Sequence, residues 1–179
     1  MHNRVYKLVL ASIFTALVFV VTYVVKIPLP IVGYVNIGDA VVALAAFVGG
    51  PIVGMLSGAI GSALADLAAG YVVYVPFTFV IKGIEGLLIG LLFLKVSDLR
   101  IKDLCMMAVA MFVMPVGYFA AESLLLPYID KTFGMVAAVA SLPFNIIQYV
   151  VCVIVAAILL TVMKKQLLKF RSMIDDTHR

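Results

Sequence analysis

The sequence predicts an all-α integral membrane protein folded as a single bundle of six transmembrane helices. Of its 179 residues, 65% are hydrophobic and 12% are charged, and the mean hydropathy is +1.23. A soluble domain does not carry so large an apolar fraction. Apolar runs of about 18 to 25 residues, the length that crosses a bilayer, also recur along the chain. We therefore expect one integral membrane domain over residues 1–179.

Short connectors separate the six predicted spans. The first span is expected to be a retained helix, because no small-residue cleavage site followed by a soluble domain comes after it. The last is expected to begin at Pro143, which suits a first helical turn, with Ser141 as its cap. Residues 133–142 would then form a separate short helix in the outer leaflet. The predicted spans are residues 7–25, 38–49, 51–70, 76–94, 104–126 and 143–163.

The distribution of basic residues predicts the orientation of the bundle. Lysines and arginines precede the first span, lie between the fourth and fifth, and follow the last, whereas the opposite connectors carry only Lys26 and Lys131. The positive-inside rule therefore predicts both termini in the cytoplasm, which agrees with an even number of crossings. The sequence pI of about 9.1 is explained by this topology and not by nucleic-acid binding.

The sequence offers no pattern for catalysis. It has no GxxxxGK[ST] phosphate loop, no histidine in a predicted span and no serine with a plausible base partner. Cys105 and Cys152 lie on different spans, without the spacing of a metal or redox site, and are interpreted as packing residues. We expect neither an enzyme nor an ATPase, and no metal or cofactor.

The strongly polar residues of the predicted spans concentrate in the outer halves. At about 1.5 Å per residue, Lys82 and Glu85 lie roughly 9 and 14 Å below the outer end of the fourth span. Asp66 and Glu122 each lie about one turn from the outer end of their own spans. The inner halves offer only small hydroxyls, which can bond back to their own helix. These hydroxyls include those of Ser12, Thr15 and Ser57.

A set of polar groups that is open to the outside and closed below suits capture of an external solute. A channel or proton relay would need polar groups at every depth. This set of polar groups contains four acids and one lysine, so it is acidic. An acidic site favours a neutral or weakly basic solute over a carboxylate or phosphate. The candidate ligand contacts are Asn36, Asp39, Asp66, Tyr74, Lys82, Glu85, Glu122, Asn145 and Gln148.

The charged candidates also have structural interpretations. Lys82 and Glu85 are three residues apart on one helix face and can pair with each other. Asp66 could neutralise Lys82 from the neighbouring helix, and Asp39 suits a helix cap better than a ligand contact. Glu122 has no comparable structural role in the sequence.

The uncharged candidates have structural interpretations as well. Asn145 and Gln148 share a helix face and could bond across helices, an interaction worth about 0.6 to 2 kcal/mol in membranes. Tyrosines at predicted outer connectors suit an interfacial belt, although one or two could stack on a ligand. These tyrosines are Tyr34, Tyr71, Tyr74 and Tyr128.

Small residues recur every four positions along the third predicted span, at Gly50, Gly54, Gly58 and Ser62. This small-xxx-small spacing lets two helix backbones approach closely, and helix packing is a sufficient explanation for it.

Four segments together resemble the substrate-binding S components of energy-coupling factor transporters, in the branch with riboflavin-type and hydroxymethylpyrimidine- or pyridoxine-type members. The resemblance covers most of the chain. The segments are YVNIGD at 34–39, GGPIVGMLSGAIGSALADLAAGY at 49–71, PFTFVIKGIEG at 76–86 and LPFNIIQ at 142–148.

The resemblance implies a six-helix subunit of the bacterial plasma membrane that binds a vitamin or vitamin precursor from outside. It implies docking on a transmembrane coupling subunit that carries two ATPases. In this family small residues of the first helix form the docking surface, which corresponds here to Ala11, Ser12, Thr15 and Ala16. Transport by toppling of the whole subunit would suit polar groups confined to one side.

The identity of the solute stays open between two classes. Acids and amides can pair the ring nitrogens and the amino or hydroxyl groups of hydroxymethylpyrimidine or a pyridoxine-like compound, which we favour. Riboflavin is the alternative, although the chain has no Trp. The connector 26–37 is long enough to act as a lid over the predicted binding site. A stand-alone proton-coupled carrier and a purely structural membrane subunit are the interpretations from other classes.

Overall fold

A computed structural model of the chain describes residues 2–28, 34–94, 96 and 98–169, with side chains from Val5 onward. Helices account for most of these residues, and a short hairpin interrupts them after the first helix. The helices are α1 His2–Val24, α2 Gly38–Gly49, α3 Pro51–Ala68, α4 Val75–Phe93, α5 Ile101–Met111, α6 Val113–Ala120 and α7 Met135–Val162.

Five helical segments are long and apolar enough to cross a membrane, as expected of a multi-pass membrane protein. They are Val5–Val24, Pro51–Ala69, Val75–Phe93, Ile101–Tyr128 and Met135–Val162. Helix α2 has the predicted bounds but only 12 residues. At 1.5 Å per residue it reaches about 18 Å, which is less than the roughly 30 Å of a hydrocarbon core. The sixth crossing and the orientation therefore stay predictions.

Helix α2 lies inside the bundle. Nearly all of its residues are buried, and Phe47 packs edge-on against Phe93 of α4 with ring centroids 5.0 Å apart. A helix that is apolar all round is expected in a protein interior. Gly50 ends it with a φ of 80°, a left-handed conformation that glycine adopts readily, and Pro51 starts α3 at once.

Helices α3 and α4 pack backbone against backbone through the predicted small residues. A Cβ at Gly54 would lie 2.6 Å from the carbonyl oxygen of Gly86, and one at Gly58 would lie 2.5 Å from that of Lys82. Such contacts leave no room for a side chain, so the interpretation of the small residues as a packing surface is confirmed for Gly54 and Gly58. A Cβ at Gly50 would meet nothing within 4 Å among the described residues. The contact between α3 and α4 holds Lys82 and its neighbours at a fixed height in the bundle.

The fifth predicted span, residues 104–126, is divided into several helical pieces. Pro115 has no N–H to donate to the carbonyl of Met111, and α5 and α6 are separated there by a turn at Phe112. A π-helical turn, Ala121–Leu125, follows α6, and a 3-10 turn, Leu126–Tyr128, follows that. π-Helical turns are rare and occur frequently at functional sites.

The last helix differs from its predicted form. Helix α7 starts at Met135 and contains Pro143 in its interior, so the separate outer-leaflet helix over residues 133–142 is wrong. Ser141 is not a cap, because its Oγ donates to the carbonyl of Ala137 at 2.9 Å within the same helix. Pro143 removes one hydrogen bond of the helix without ending it.

A two-stranded hairpin is the exception to the all-α prediction. Strand β1, Lys26–Pro28, pairs antiparallel with β2, Tyr34–Asn36, with Lys26 opposite Asn36. Residues 29–33 of the predicted lid lie outside the described residues, so the lid stays a prediction. Strand β2 leads directly into α2 and brings Tyr34 and Asn36 to the polar interior of the bundle.

Candidate functional site

A polar cavity lies between β2, α3, α6, the π-helical turn, α7 and the connector that precedes α4. Its free volume is about 450 Å³, including the part open to solvent. Every lining side chain carries a polar atom: four phenols, two carboxylates, three carboxamides and one hydroxyl. The lining residues are Tyr34, Asn36, Asp66, Tyr71, Tyr74, Tyr118, Glu122, Ser141, Asn145 and Gln148.

Asp66 joins three elements at one wall of the cavity. The hydroxyl of Tyr34 donates to its Oδ1 at 2.6 Å, and the hydroxyl of Thr78 donates to its Oδ2 at 2.5 Å. Since the Thr78 proton is used, Tyr118, whose hydroxyl lies 2.9 Å from Thr78 Oγ1, is the donor of that bond. Burial and the neighbouring Asp66 carboxylate raise the pKa of Tyr34 far above its usual range, so Tyr34 stays a donor. Asp66 thereby ties the hairpin to α3 and α4.

Glu122 belongs to the π-helical turn and is 3% exposed. The hydroxyl of Tyr74 donates to its Oε1 at 2.8 Å. Its Oε2 is buried and has no hydrogen-bond partner among the described residues. The Tyr74 ring packs edge-on against Phe133, with centroids 5.5 Å apart. The Tyr74 hydroxyl thus holds one carboxylate oxygen of Glu122. The other accepts no hydrogen bond from the described residues, because the nearby Ser141 hydroxyl donates to the carbonyl of Ala137 instead.

Helix α7 contributes two amides that differ in their hydrogen bonding. Gln148 uses both ends of its amide, because its Oε1 accepts from the backbone N–H of Asn36 at 2.9 Å and from Asn36 Nδ2 at 3.4 Å, and its Nε2 donates to Asp39 at 3.1 Å. Asn145, one turn earlier, has a buried Nδ2 without a partner among the described residues. The prediction of hydrogen bonding across elements is confirmed for Gln148. Asn145 offers an unused donor to the cavity.

Three charged candidates form a separate buried cluster that does not line the cavity. The ammonium of Lys82 contacts Asp39 and lies 3.3 Å from Glu85 Oε2, and each of the three residues is at most 2% exposed. Gln148 bridges the cavity and this cluster through its bond to Asp39. The predicted pairing of Lys82 with Glu85 is confirmed.

Two structural interpretations of the acids are wrong. Asp39 does not cap α2, whose N-cap is Ile37 without a side-chain bond, because its carboxylate pairs with Lys82 on the neighbouring helix. Asp66 makes no salt bridge with Lys82, whose ammonium contacts Asp39 and Glu85 instead, while the two oxygens of Asp66 accept from Tyr34 and Thr78. A buried cation needs close compensation, and Asp39 and Glu85 supply it.

Three residues at the site were not predicted from the sequence as ligand contacts: Thr78, Tyr118 and Ser141. Tyr118 precedes Glu122 by four residues and Thr78 precedes Lys82 by four, so helical spacing from a charged candidate would have identified both. Ser141 had been interpreted as a cap. Tyr71 and Tyr34 join the cavity, with ring centroids 5.2 Å apart, whereas Tyr128 is 90% exposed and suits the interfacial belt.

The predicted docking residues of α1 fall on different faces. Ala11 is 4% exposed and faces the bundle, where its carbonyl accepts a 3.4 Å bond from Ser57 Oγ. Ser57 therefore does not bond to its own helix as expected, whereas Ser12 does, donating to the carbonyl of Leu8 at 2.9 Å. Ser12 and Ala16 are exposed and Thr15 is half-buried.

One protein family and three individual proteins are similar to this chain. The family described as ECF-type riboflavin transporter, S component, matches residues 2–165. An uncharacterised protein of Pyrococcus woesei is 36% identical over 151 residues, which are 84% of this chain and 96% of that protein. The thiamine precursor transporter HmpT of Lactococcus lactis is 29% identical over 160 residues, 88% of this chain and 87% of HmpT. A UPF0397 protein of Streptococcus pneumoniae is 39% identical over 87 residues, about half of each chain.

Proposed function

We propose, from the premise that this chain belongs to the family of ECF-type riboflavin transporter S components, that its polar cavity captures hydroxymethylpyrimidine or a closely similar vitamin precursor. The family consists of transporter subunits and not of enzymes. A vitamin-type solute is in keeping with both the family and the thiamine precursor transporter among the relatives.

One observation carries the choice of solute. The cavity holds an unused acceptor, Oε2 of Glu122, and an unused donor, Nδ2 of Asn145, both buried. A buried polar group without a partner costs about 1–3 kcal/mol, so the folded protein retains this pair only at a disadvantage to its stability. A ligand that offers one donor and one acceptor would satisfy both groups.

An aminopyrimidine offers this combination on one edge of its ring. Its exocyclic amino group would donate to Glu122, and the adjacent ring nitrogen would accept from Asn145. Tyr34, Tyr71, Tyr74 and Tyr118 supply aromatic walls for a flat ring. A pyridoxine-like solute would use a hydroxyl in place of the amino group.

Riboflavin is the second candidate, and the family description favours it. The imide edge of its ring system also carries a donor between acceptors and could use the same two side chains. Its larger ring system and polyol chain would need more room, which favours the single-ring solutes in a cavity with bulky phenol walls.

We further propose that the protein docks on a transmembrane coupling subunit with two ATPases. The exposed residues Ser12 and Ala16, four apart on α1, are small enough for close helix contact there. Ala11 faces α3 and would act behind this surface, as a packing residue. The protein would work in the cell membrane, with the cavity open to the outside.

The test is native mass spectrometry of the gently purified protein, titrated with hydroxymethylpyrimidine, pyridoxine, thiamin and riboflavin. We expect a one-to-one complex with hydroxymethylpyrimidine at the lowest concentration. Preferential binding of riboflavin would overturn the choice of solute while supporting capture. Binding of none of the four by folded protein would overturn the proposal and favour a structural subunit.

A further inference from the structure

An apolar groove lies between α4 and α5, at the opposite end of α4 from the polar cavity. Its free volume is about 810 Å³, including its open side. All of its lining side chains are apolar or, for Cys105, weakly polar. They are Leu88, Leu91, Leu92, Cys105, Met106, Val109, Ala110 and Val113.

Two basic residues lie at the start of α5, the helix that forms one wall of this groove. Lys102 shares a helix face with Met106, Val109 and Val113, which follow it by four, seven and eleven positions. Arg100 immediately precedes α5, and both basic residues are exposed. The groove therefore leads from a cationic end into an apolar channel along one helix face.

The neighbouring acids do not neutralise this end. Asp103 is buried and accepts from the backbone N–H of Arg100 at 2.9 Å, and Asp98 pairs with Lys164 at 2.6 Å. Neither Arg100 nor Lys102 forms a salt bridge within residues 5–28, 34–94, 96 and 98–169. Lys102 is therefore available to an external anion, and Arg100 can join it because its charge acts on Asp98 without a direct salt bridge.

The dimensions of the groove match one leaflet of a bilayer. The eleven positions from Lys102 to Val113 correspond to about 16 Å along the helix axis. Half of the roughly 30 Å hydrocarbon core is about 15 Å. An acyl chain that starts at the basic end would therefore lie along the groove as far as the middle of the membrane.

We propose that this groove binds an anionic phospholipid, with one acyl chain between α4 and α5 and the phosphate at Arg100 and Lys102. The groove is apolar along its length, and two cationic side chains lie near the start of α5. A phospholipid has the complementary groups, an acyl chain for the groove and a phosphate for the cations. A helix of a partner protein would fill the groove without needing a phosphate-binding end. The site is independent of the polar cavity and of its solute.

The experiment compares lipid retention by native mass spectrometry in detergent, with phosphatidylglycerol and phosphatidylcholine of the same acyl chains. We expect one phosphatidylglycerol per protein and weaker retention of phosphatidylcholine. Replacing Arg100→Gln and Lys102→Gln should reduce phosphatidylglycerol affinity about fivefold for each charge removed. Lys165→Gln, an exposed basic residue after α7, is the matched control and should leave it unchanged.

The apolar part is tested with Val109→Trp, which should displace both lipids. Val116→Trp is its control, because Val116 is 53% exposed but does not line the groove. Cys105 gives a second readout, since it is exposed and the chain's other cysteine, Cys152, is buried. Phosphatidylglycerol should slow maleimide labelling of Cys105.

Two results would overturn the proposal: equal retention of the two lipids by the wild type, or unchanged retention of phosphatidylglycerol by the Arg100→Gln/Lys102→Gln variant. The second result would favour a partner helix or general lipid contact at this face. Solute titration of the same variants should match the wild type, so failure of the lipid proposal leaves the capture proposal standing.

Discussion

The hydroxyl of Tyr74 donates to Glu122 Oε1 at 2.8 Å and thereby links the start of α4 to the π-helical turn. This bond holds the carboxylate so that its second oxygen lies buried and uncommitted at the cavity. The two residues are 48 positions apart. The contact thus joins two helical segments at the point where we expect a solute to bind.

Glu122→Gln should weaken binding of the solute while leaving the fold intact. The amide replaces a charged acceptor with a neutral one, and the two kinds of hydrogen bond differ by about 1–1.5 kcal/mol, or roughly 5- to 13-fold in affinity. Titration by native mass spectrometry measures the loss. Tyr74→Phe, which keeps the carboxylate but frees its orientation, should cost less. Unchanged affinity in Glu122→Gln would remove this residue from the binding site.

Asn145→Leu should separate stability from binding. The unpaired Nδ2 makes no bond in the solute-free protein, so its replacement with an apolar group of similar size should leave the melting temperature unchanged or raise it. Affinity for the solute should fall at least about tenfold, because a donor to the ring is lost. Gln148→Leu is the contrasting variant, since it breaks three hydrogen bonds and should lower the melting temperature. Full affinity in Asn145→Leu would contradict the proposed role.

Lys82→Met and Glu85→Gln should have unequal effects on stability. Removing Lys82 leaves Asp39 and Glu85 buried without a cation, which costs about 3–5 kcal/mol in comparable buried pairs. Glu85→Gln keeps the Lys82–Asp39 pair and should cost far less. Thermal unfolding in detergent compares the two variants. Equal destabilisation would show that Glu85, and not Asp39 alone, is required to compensate Lys82.

Gly54→Ala should destabilise the protein by about 1–3 kcal/mol, as overpacking of a tight interface does. The new methyl would lie 2.6 Å from the carbonyl oxygen of Gly86, and two packed backbones cannot both move. Gly83→Ala is the control on α4, where the nearest atom, Ala59 Cβ, would be 3.3 Å away. The melting temperature should fall clearly in the first variant and little in the second.

Ala16→Leu should preserve solute binding and abolish docking on the coupling subunit. Ala16 is exposed on α1, so the larger side chain meets no part of this bundle but would hold a partner helix away. Co-purification with the coupling subunit measures docking. Ile154→Phe on α7, where Ile154 is 52% exposed, is the control for added bulk at a lipid-facing position. Retained docking in Ala16→Leu would exclude this face as the docking surface.

The sequence predicted those parts of the fold that depend on local signals. The end of α2 and the start of α3 follow from the Gly50-Pro51 pair. The Lys82–Glu85 pair follows from spacing on one helix. The backbone contact of Gly54 follows from the repeat of small residues along α3, because this spacing in a membrane helix indicates close packing against another helix.

The predictions that were wrong or missing concern features that the local sequence does not determine. Proline fits a first helical turn as well as a tolerated kink in a membrane helix, so Pro143 did not locate the start of α7. The pairing of Asp39 with Lys82 spans 43 residues and depends on how α2 packs against α4. The π-helical turn leaves no periodic signal over its five residues, so the orientation of Glu122 could not be predicted.

The π-helical turn makes the chemistry of the cavity depend on the length of the chain as well as on residue identity. It takes up one residue more per turn than an α-helix does, and a residue in an α-helix corresponds to about 100° of rotation. A one-residue deletion at Ala121, between α6 and Glu122, would restore α-helical winding and turn Glu122 away from Tyr74. We expect that among homologous transporters a single-residue gap at this point marks a change of transported solute, even where the flanking helices are unaltered.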